Sequence, residues 1–154
     1  MKAMLLKKAA PINTKPLVLE EIPIPEPKHR QIRVKIITCG VCHTDLDESE
    51  GRLIPQLPII PGHQIIGKVE KLGYRAGKFR LGDRVGITWI NSACGKCDFC
   101  INGKENLCSE FVGTGCDVNG GYTEYIVINE DFAYHIPDKF SDTSDIDLLV
   151  SFQP

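Results

Sequence analysis

The sequence has no apolar run near the roughly 20 residues that a membrane-spanning helix needs, because polar residues interrupt every apolar segment within a few positions. No membrane partner is expected. It has no basic excess either: 18 Lys and Arg stand against 20 Asp and Glu, a formal charge of −2. No global field would draw phosphate backbones, so nucleic acid is not expected as a partner. A secretory core is also missing: in Met1-Lys2-Ala3-Met4-Leu5-Leu6-Lys7-Lys8, Lys flanks a very short apolar stretch, whereas an h-region needs roughly 7–15 apolar residues. No stretch longer than about two turns keeps a 3.6-residue apolar repeat. What remains is the expectation of a soluble chain of 154 residues, 42% apolar and 25% charged, the size of one globular domain.

Ten Pro and 14 Gly break the chain into short pieces and point to β-structure. Ile32, Val34 and Ile36 alternate with Arg33 and Lys35, the pattern of a half-buried strand, and the Pro-rich Ile22 to Pro27 before them must be extended. Further strands are expected from His63 to Val69, from Arg84 to Ile90 after the turn at Leu81-Gly82-Asp83, and from Tyr122 to Ile128 after the tight-turn signal Asn119-Gly120-Gly121. This many strands imply a sandwich or barrel. Helix is expected only over Asp45 to Glu50 and over Ser141 to Val150, where Ile146, Leu149 and Val150 share one face.

Seven cysteines, at 39, 42, 94, 97, 100, 108 and 116, cannot all pair internally. Four of them form C-x2-C-x2-C-x7-C at Cys94, Cys97, Cys100 and Cys108, too tightly grouped for a bridged extracellular scaffold. Reduced thiols holding a metal in the cytoplasm are expected instead. Two-residue gaps let neighbouring sulfurs face one ion, and four sulfurs close a tetrahedron around zinc. An iron–sulfur cluster fits less well, because the ferredoxin-type run closes with a three-residue gap and a Pro, not seven residues and Ser109. Zinc in such a closed site braces a loop and does no chemistry. A second group of metal-capable residues lies at Cys39-Gly40-Val41-Cys42-His43-Thr44-Asp45 and at Pro61-Gly62-His63-Gln64. Cys39-x2-Cys42 has the spacing of a redox dithiol, but no βαβ pattern surrounds it.

Five motifs, in order, resemble the zinc-dependent alcohol dehydrogenases of the medium-chain dehydrogenase/reductase superfamily: Gly40-Val41-Cys42-His43-Thr44-Asp45, Gly62-His63-x3-Gly67, Gly82-Asp83-Arg84-Val85, the four-cysteine loop, and Gly120-Gly121-Tyr122-x-Glu124-Tyr125. The resemblance implies a mainly β, GroES-like catalytic domain over 1–154: a partly open β-barrel with short helices and a structural zinc lobe at 91–110. It also implies oxidation of an alcohol to an aldehyde or ketone by hydride transfer to NAD(P), in a family that is often homo-oligomeric. By the same resemblance Cys42 and His63 are catalytic-zinc ligands, Thr44 relays the substrate proton and Asp45 supports the site from behind. His43 matches a coenzyme pyrophosphate contact, or is simply solvated. Trp89 matches a wall of the substrate pocket, or is ordinary core.

Three departures accompany the resemblance. No coenzyme-binding Rossmann unit is expected, since Gly113-Thr114-Gly115-Cys116-Asp117-Val118 has Val118 where the third glycine belongs and runs into a hairpin. The chain reads as a truncated family member, inactive alone. Val150 stands about where a third zinc-binding Cys belongs, leaving Gln64 or Asp45 to assist, and Gln64 replaces the commoner Glu. Two other readings compete with the enzyme: a stand-alone zinc-binding GroES-like interaction module, separable by a defined oligomer in solution, and an iron–sulfur or redox dithiol protein, separable by colour and thiol oxidation.

Overall fold

The computed structural model describes residues 1–140 together with Ser144 and Asp145. It is mainly β, as expected. A five-stranded antiparallel sheet is built from β3 (Gln31–Cys39), β4 (Ile65–Leu72), β5 (Arg84–Ile87), β8 (Tyr125–Asn129) and β9 (Ala133–His135). The strand order is β8-β3-β4-β5-β9, and the sheet curls around one core as a half-barrel.

Alternation decides which face closes. Ile32 and Val34 of β3 are fully buried beside Ile126 and Ile128 of β8, with Ile65, Val69, Val85 and Ile87 completing the layer. Arg33, pointing the other way, pairs with Glu26 at 3.0 Å and Glu70 at 2.7 Å. Ile37 keeps the outward phase of β3 and is exposed although apolar, at the register shift between Ile36 and Thr38.

Among the strands that escaped the sequence reading are two near the N-terminus. β1 (Lys2–Leu6) and β2 (Leu17–Glu21) form a separate antiparallel pair. β1 also bridges Thr123 through Ala3 and Ile59 through Leu6. It therefore stitches the loop before β4 to the segment entering β8. Leu6 is fully buried at that seam.

Several boundaries differ from expectation. The strand expected over Arg84 to Ile90 stops at Ile87, where its pairing with β4 ends opposite Ile65. The chain then leaves the barrel as β6 (Ile90–Ser92), which pairs with β7 (Val112–Gly113). The strand expected from His63 begins at Ile65, because Gly62 adopts φ +97° and turns His63 and Gln64 into a loop. The one expected from Tyr122 begins at Tyr125. Asn119-Gly120-Gly121 does not join two strands either: Gly120 N donates to Ile60 O and Gly121 N to Gly62 O, docking this segment on the loop before β4. A Cβ on Gly120 would lie 2.1 Å from Gly62 O, so only glycine permits the approach. The helix expected over Ser141 to Val150, with Val150 itself, lies outside the described residues except for Ser144 and Asp145; Asp145 accepts a hydrogen bond from Arg84 Nε at 2.8 Å.

Candidate functional site

The two metal-capable turns meet because β3 and β4 are antiparallel neighbours with Cys39 opposite Ile65, so the end of one strand adjoins the start of the other. Gly40 N locks the junction by donating to Gln64 O at 2.8 Å. Directly after β3, helix α1 (His43–Glu50) begins with Cys42 at its N-cap.

Asp45, in the first turn of α1, organises the junction from a buried position. Its Oδ2 accepts from Cys42 N at 2.7 Å and from the Tyr122 hydroxyl at 3.0 Å, while Oδ1 accepts from Gly62 N at 3.0 Å. The same Oδ1 lies 3.5 Å from His63 Nδ1. Burial alone would raise the Asp45 pKa, but its bonds to His63, the Cys42 amide and Tyr122 outweigh that and hold it below the usual carboxylate range. Burial would lower His63, yet the Asp45 carboxylate, with Cys42 next, holds it up at about 8. The Cys42 thiol is lowered: burial opposes this and Thr44, then His63, prevail. A carboxylate on Nδ1 fixes the ring and leaves Nε2 for a metal, the usual support for a histidine ligand.

Cys39, two residues from this cluster in the Cys39-x2-Cys42 spacing, has a different role. Burial pushes its thiol up to about 12, and its sulfur packs where a Cβ on Gly62 or Gly121 would sit, 2.9 and 2.7 Å away. A thiol so reluctant to ionise is no nucleophile.

A cavity of about 380 Å³ opens beside the junction, with Thr44, His63 and Trp89 on its wall. Thr44 Oγ1 is 3.6 Å from Cys42 Sγ. Trp89 is 43% exposed and packs on Phe111 at 4.8 Å between ring centroids, so it is not ordinary core. Leu53 and Phe111 add apolar surface. His43 points away, its side chain 77% exposed and 3.6 Å from Asp47.

Sequence reasoning missed four residues of this region. Tyr122 sat in a quoted motif, and Thr114 and Cys116 in a dismissed glycine pattern, without being given a role; Glu48 carried no motif, although Thr44 and Glu48, four apart on α1, had to share a helix face. Glu48 and Thr114 are each 2% exposed, and their Oε2 and Oγ1 have no hydrogen-bond partner. Such atoms cost about 1–3 kcal/mol each. Burial, then Asp45, pushes Glu48 up to about 7.

The four-cysteine segment forms a lobe between β6 and β7, with the short helix α2 (Asp98–Ile101) inside it. Its sulfurs all lie within 4.8 Å of one another. The 3.8 Å from Cys94 Sγ to Cys100 Sγ and 3.5 Å from Cys97 Sγ to Cys100 Sγ match the edge, about 3.8 Å, of a tetrahedron with 2.3 Å zinc–sulfur bonds. Backbone amides are already aimed at the sulfurs: Cys97 N reaches Cys94 Sγ at 3.4 Å and Glu110 N reaches Cys108 Sγ at 3.3 Å. The thiols cannot all ionise unaided. Amides of Lys96 and Cys97 draw Cys94 down to about 6, while burial and the neighbouring sulfurs push Cys100 up to about 12. The donor set fits zinc, which the expected structural site requires.

Comparison with known proteins agrees with this architecture. The alcohol dehydrogenase GroES-like domain family matches residues 28–138. An alcohol dehydrogenase of Geobacillus stearothermophilus is 43% identical over 129 residues, covering 82% of this chain and 38% of that protein. An Escherichia coli CFT073 alcohol dehydrogenase complexed with NADH superimposes with a TM-score of 0.85 at 29% identity, over 97% of this chain and 41% of that one. The cobalt- and zinc-bound thermostable alcohol dehydrogenase of Pyrobaculum aerophilum gives 0.81 at 26% identity, over 88% and 41%. The chain thus spans less than half the length of each of these relatives.

Proposed function

Because the chain belongs to the alcohol dehydrogenase GroES-like domain family, we propose that residues 1–154 are the catalytic domain of a zinc-dependent alcohol dehydrogenase that oxidises an alcohol to an aldehyde or ketone with NAD(P) as hydride acceptor. The observation that carries this reading is the buried Asp45–His63 pair, held beside Cys42 at the mouth of the Thr44 and Trp89 cavity. Cys42 and His63 would hold the catalytic zinc. When bound there, zinc supplies Lewis acidity that makes an alcohol a stronger acid near neutral pH.

The chain's own residues do the rest. Asp45 orients His63 and is itself fixed by three donors, so its oxygens are committed and do not serve as ligands. Gln64, buried directly after His63, is the remaining candidate to assist. Thr44 takes the proton of the bound alcohol at Oγ1 and passes it outward. Trp89, Phe111 and Leu53 exclude water and seat the alkyl chain. His43, exposed at the start of α1, would contact a coenzyme phosphate. The second zinc, in the Cys94 to Cys108 lobe, is structural. Seven free thiols suit a cytoplasmic protein.

Metal analysis tests the reading. The zinc-loaded chain is expected to hold two zinc ions, and Cys42→Ser one. A wild-type chain that never exceeds one ion, held in the lobe, would leave the interaction-module reading in its place.

A further inference from the structure

Among the described residues, only two buried side-chain oxygens lack a partner, Glu48 Oε2 and Thr114 Oγ1. Both residues line the single cavity that Thr44, His63 and Trp89 share. They arrive from unrelated elements. Glu48 stands on α1, one turn beyond Thr44. Thr114 follows β7 on the return stem of the lobe, where its amide donates to Trp89 O at 2.7 Å. Native cores satisfy nearly all of their buried polar groups, so two exceptions among the residues lining one cavity call for an explanation. An alkyl chain from a simple alcohol would satisfy neither atom.

We infer that this cavity takes a polyhydric alcohol, and that Glu48 and Thr114 select it by receiving a hydroxyl group other than the one that reacts. A hydroxyl both donates and accepts, so it can answer the carboxyl oxygen and the threonine oxygen alike. The remaining lining is largely apolar, with Leu53, Trp89 and Phe111. Against that background the two oxygens supply directional recognition, which bulk apolar contact cannot. Cys116, whose thiol burial and then the Glu48 charge push up to about 11, stays neutral and bonds the Glu48 carboxyl, while Glu48 Oε2 keeps no partner. Glu48 and Thr114 are specificity residues that touch the far end of the substrate. The inference rests on the cavity being the alcohol site.

Trp89 is the only tryptophan in the chain and stands on the cavity wall, so its fluorescence reports occupancy without coenzyme or turnover. The zinc-loaded 154-residue chain is titrated with propane-1,3-diol, butane-1,4-diol and pentane-1,5-diol, each against the primary mono-alcohol of equal length. At least one diol is expected to bind about 10- to 100-fold more tightly than its mono-alcohol, the size of one hydrogen bond to a charged group. Without partners for the second hydroxyl, an apolar cavity would prefer the mono-alcohol. Glu48→Met and Thr114→Val are each expected to cut that preference at least fivefold, in part by tightening mono-alcohols, whereas Glu48→Gln, which keeps an acceptor oxygen but no charge, retains part of it. If Glu48→Met does not fold, Thr114→Val carries the comparison. Mono-alcohols that bind as tightly as the diols at all three lengths overturn the inference alone, as does a preference indifferent to the variants. If no alcohol of either kind perturbs Trp89, the reading of the cavity as the alcohol site falls and takes the inference with it.

Discussion

Asp45 Oδ1 lies 3.5 Å from His63 Nδ1, with both side chains about 95% buried. The pair ties the first turn of α1 to the loop before β4, and Tyr122 closes it from a third segment by donating to Asp45 Oδ2. One carboxylate thus fixes three chain segments and the orientation of one imidazole.

Asp45→Asn is expected to weaken zinc at the Cys42 and His63 site about 10- to 100-fold, the usual loss when the carboxylate behind a histidine ligand is neutralised. Competition titration with a chromogenic chelator measures it. Tyr122→Phe should shift affinity less, because the Cys42 and Gly62 amides still hold the carboxylate. Unchanged zinc affinity in Asp45→Asn would remove Asp45 from the site.

Gly120→Ala should destabilise the chain by about 2–3 kcal/mol, since its Cβ would meet Gly62 O and Pro61 O, backbone atoms that cannot swing aside. Gly77→Ala is the control: nothing lies within 4 Å of its Cβ, and a change within about 0.5 kcal/mol is expected. Urea denaturation distinguishes the two. Similar midpoints would mean that the Gly120 and Gly62 backbones part at little cost.

The Glu48 carboxyl links stability to pH. Its pKa is pushed from 4.5 to about 7 by burial first, then by Asp45 and Asp117, with Cys116 and His63 opposing. Between those values the folded chain holds a proton that the unfolded chain has released, so this contribution to stability is present below about pH 4.5 and lost as pH rises to about 7. The span is on the order of 3 kcal/mol. Glu48→Gln should flatten that part of the stability profile. A variant profile parallel to wild type would show that Glu48 ionises normally.

Stripping the lobe zinc with a strong chelator should abolish amide-exchange protection within 93–110 while β3, β4 and β8 keep theirs. The lobe has its own two-stranded sheet, and Phe99, Ile101 and Leu107 face outward and do not anchor it to the barrel. Simultaneous loss in β3 would make lobe and barrel one cooperative unit.

Strand β3 was legible in Ile32 and Val34 because a half-buried strand writes its period into the sequence. β1 was not: Lys2 to Leu6 has no clean alternation, and its place depends on contacts with Ile59 and Thr123, more than 50 residues away. The end of the Arg84 strand at Ile87 was equally hidden, since Thr88, Trp89 and Ile90 all suit a strand and only the change of pairing partner from β4 to β7 breaks it. The four sulfurs of the lobe were readable from spacing alone, because their geometry is local. Cys42 and His63 came through resemblance. Their meeting depends on the β3–β4 register, which no local pattern declares. Glu48 and Thr114 were given no role because a lone Glu in an acidic helix and a lone Thr in a loop look solvated until burial is known.

The lobe leaves and rejoins the barrel through two stems, and those stems touch: Thr114 N donates to Trp89 O, and Phe111 packs on the Trp89 ring. With its footing pinned there, the excursion between them behaves as a detachable clasp. Its length and surface residues are free to drift through evolution, or to be redesigned, without reshaping the chamber below, provided the four sulfurs still converge and the pinned ends stay joined.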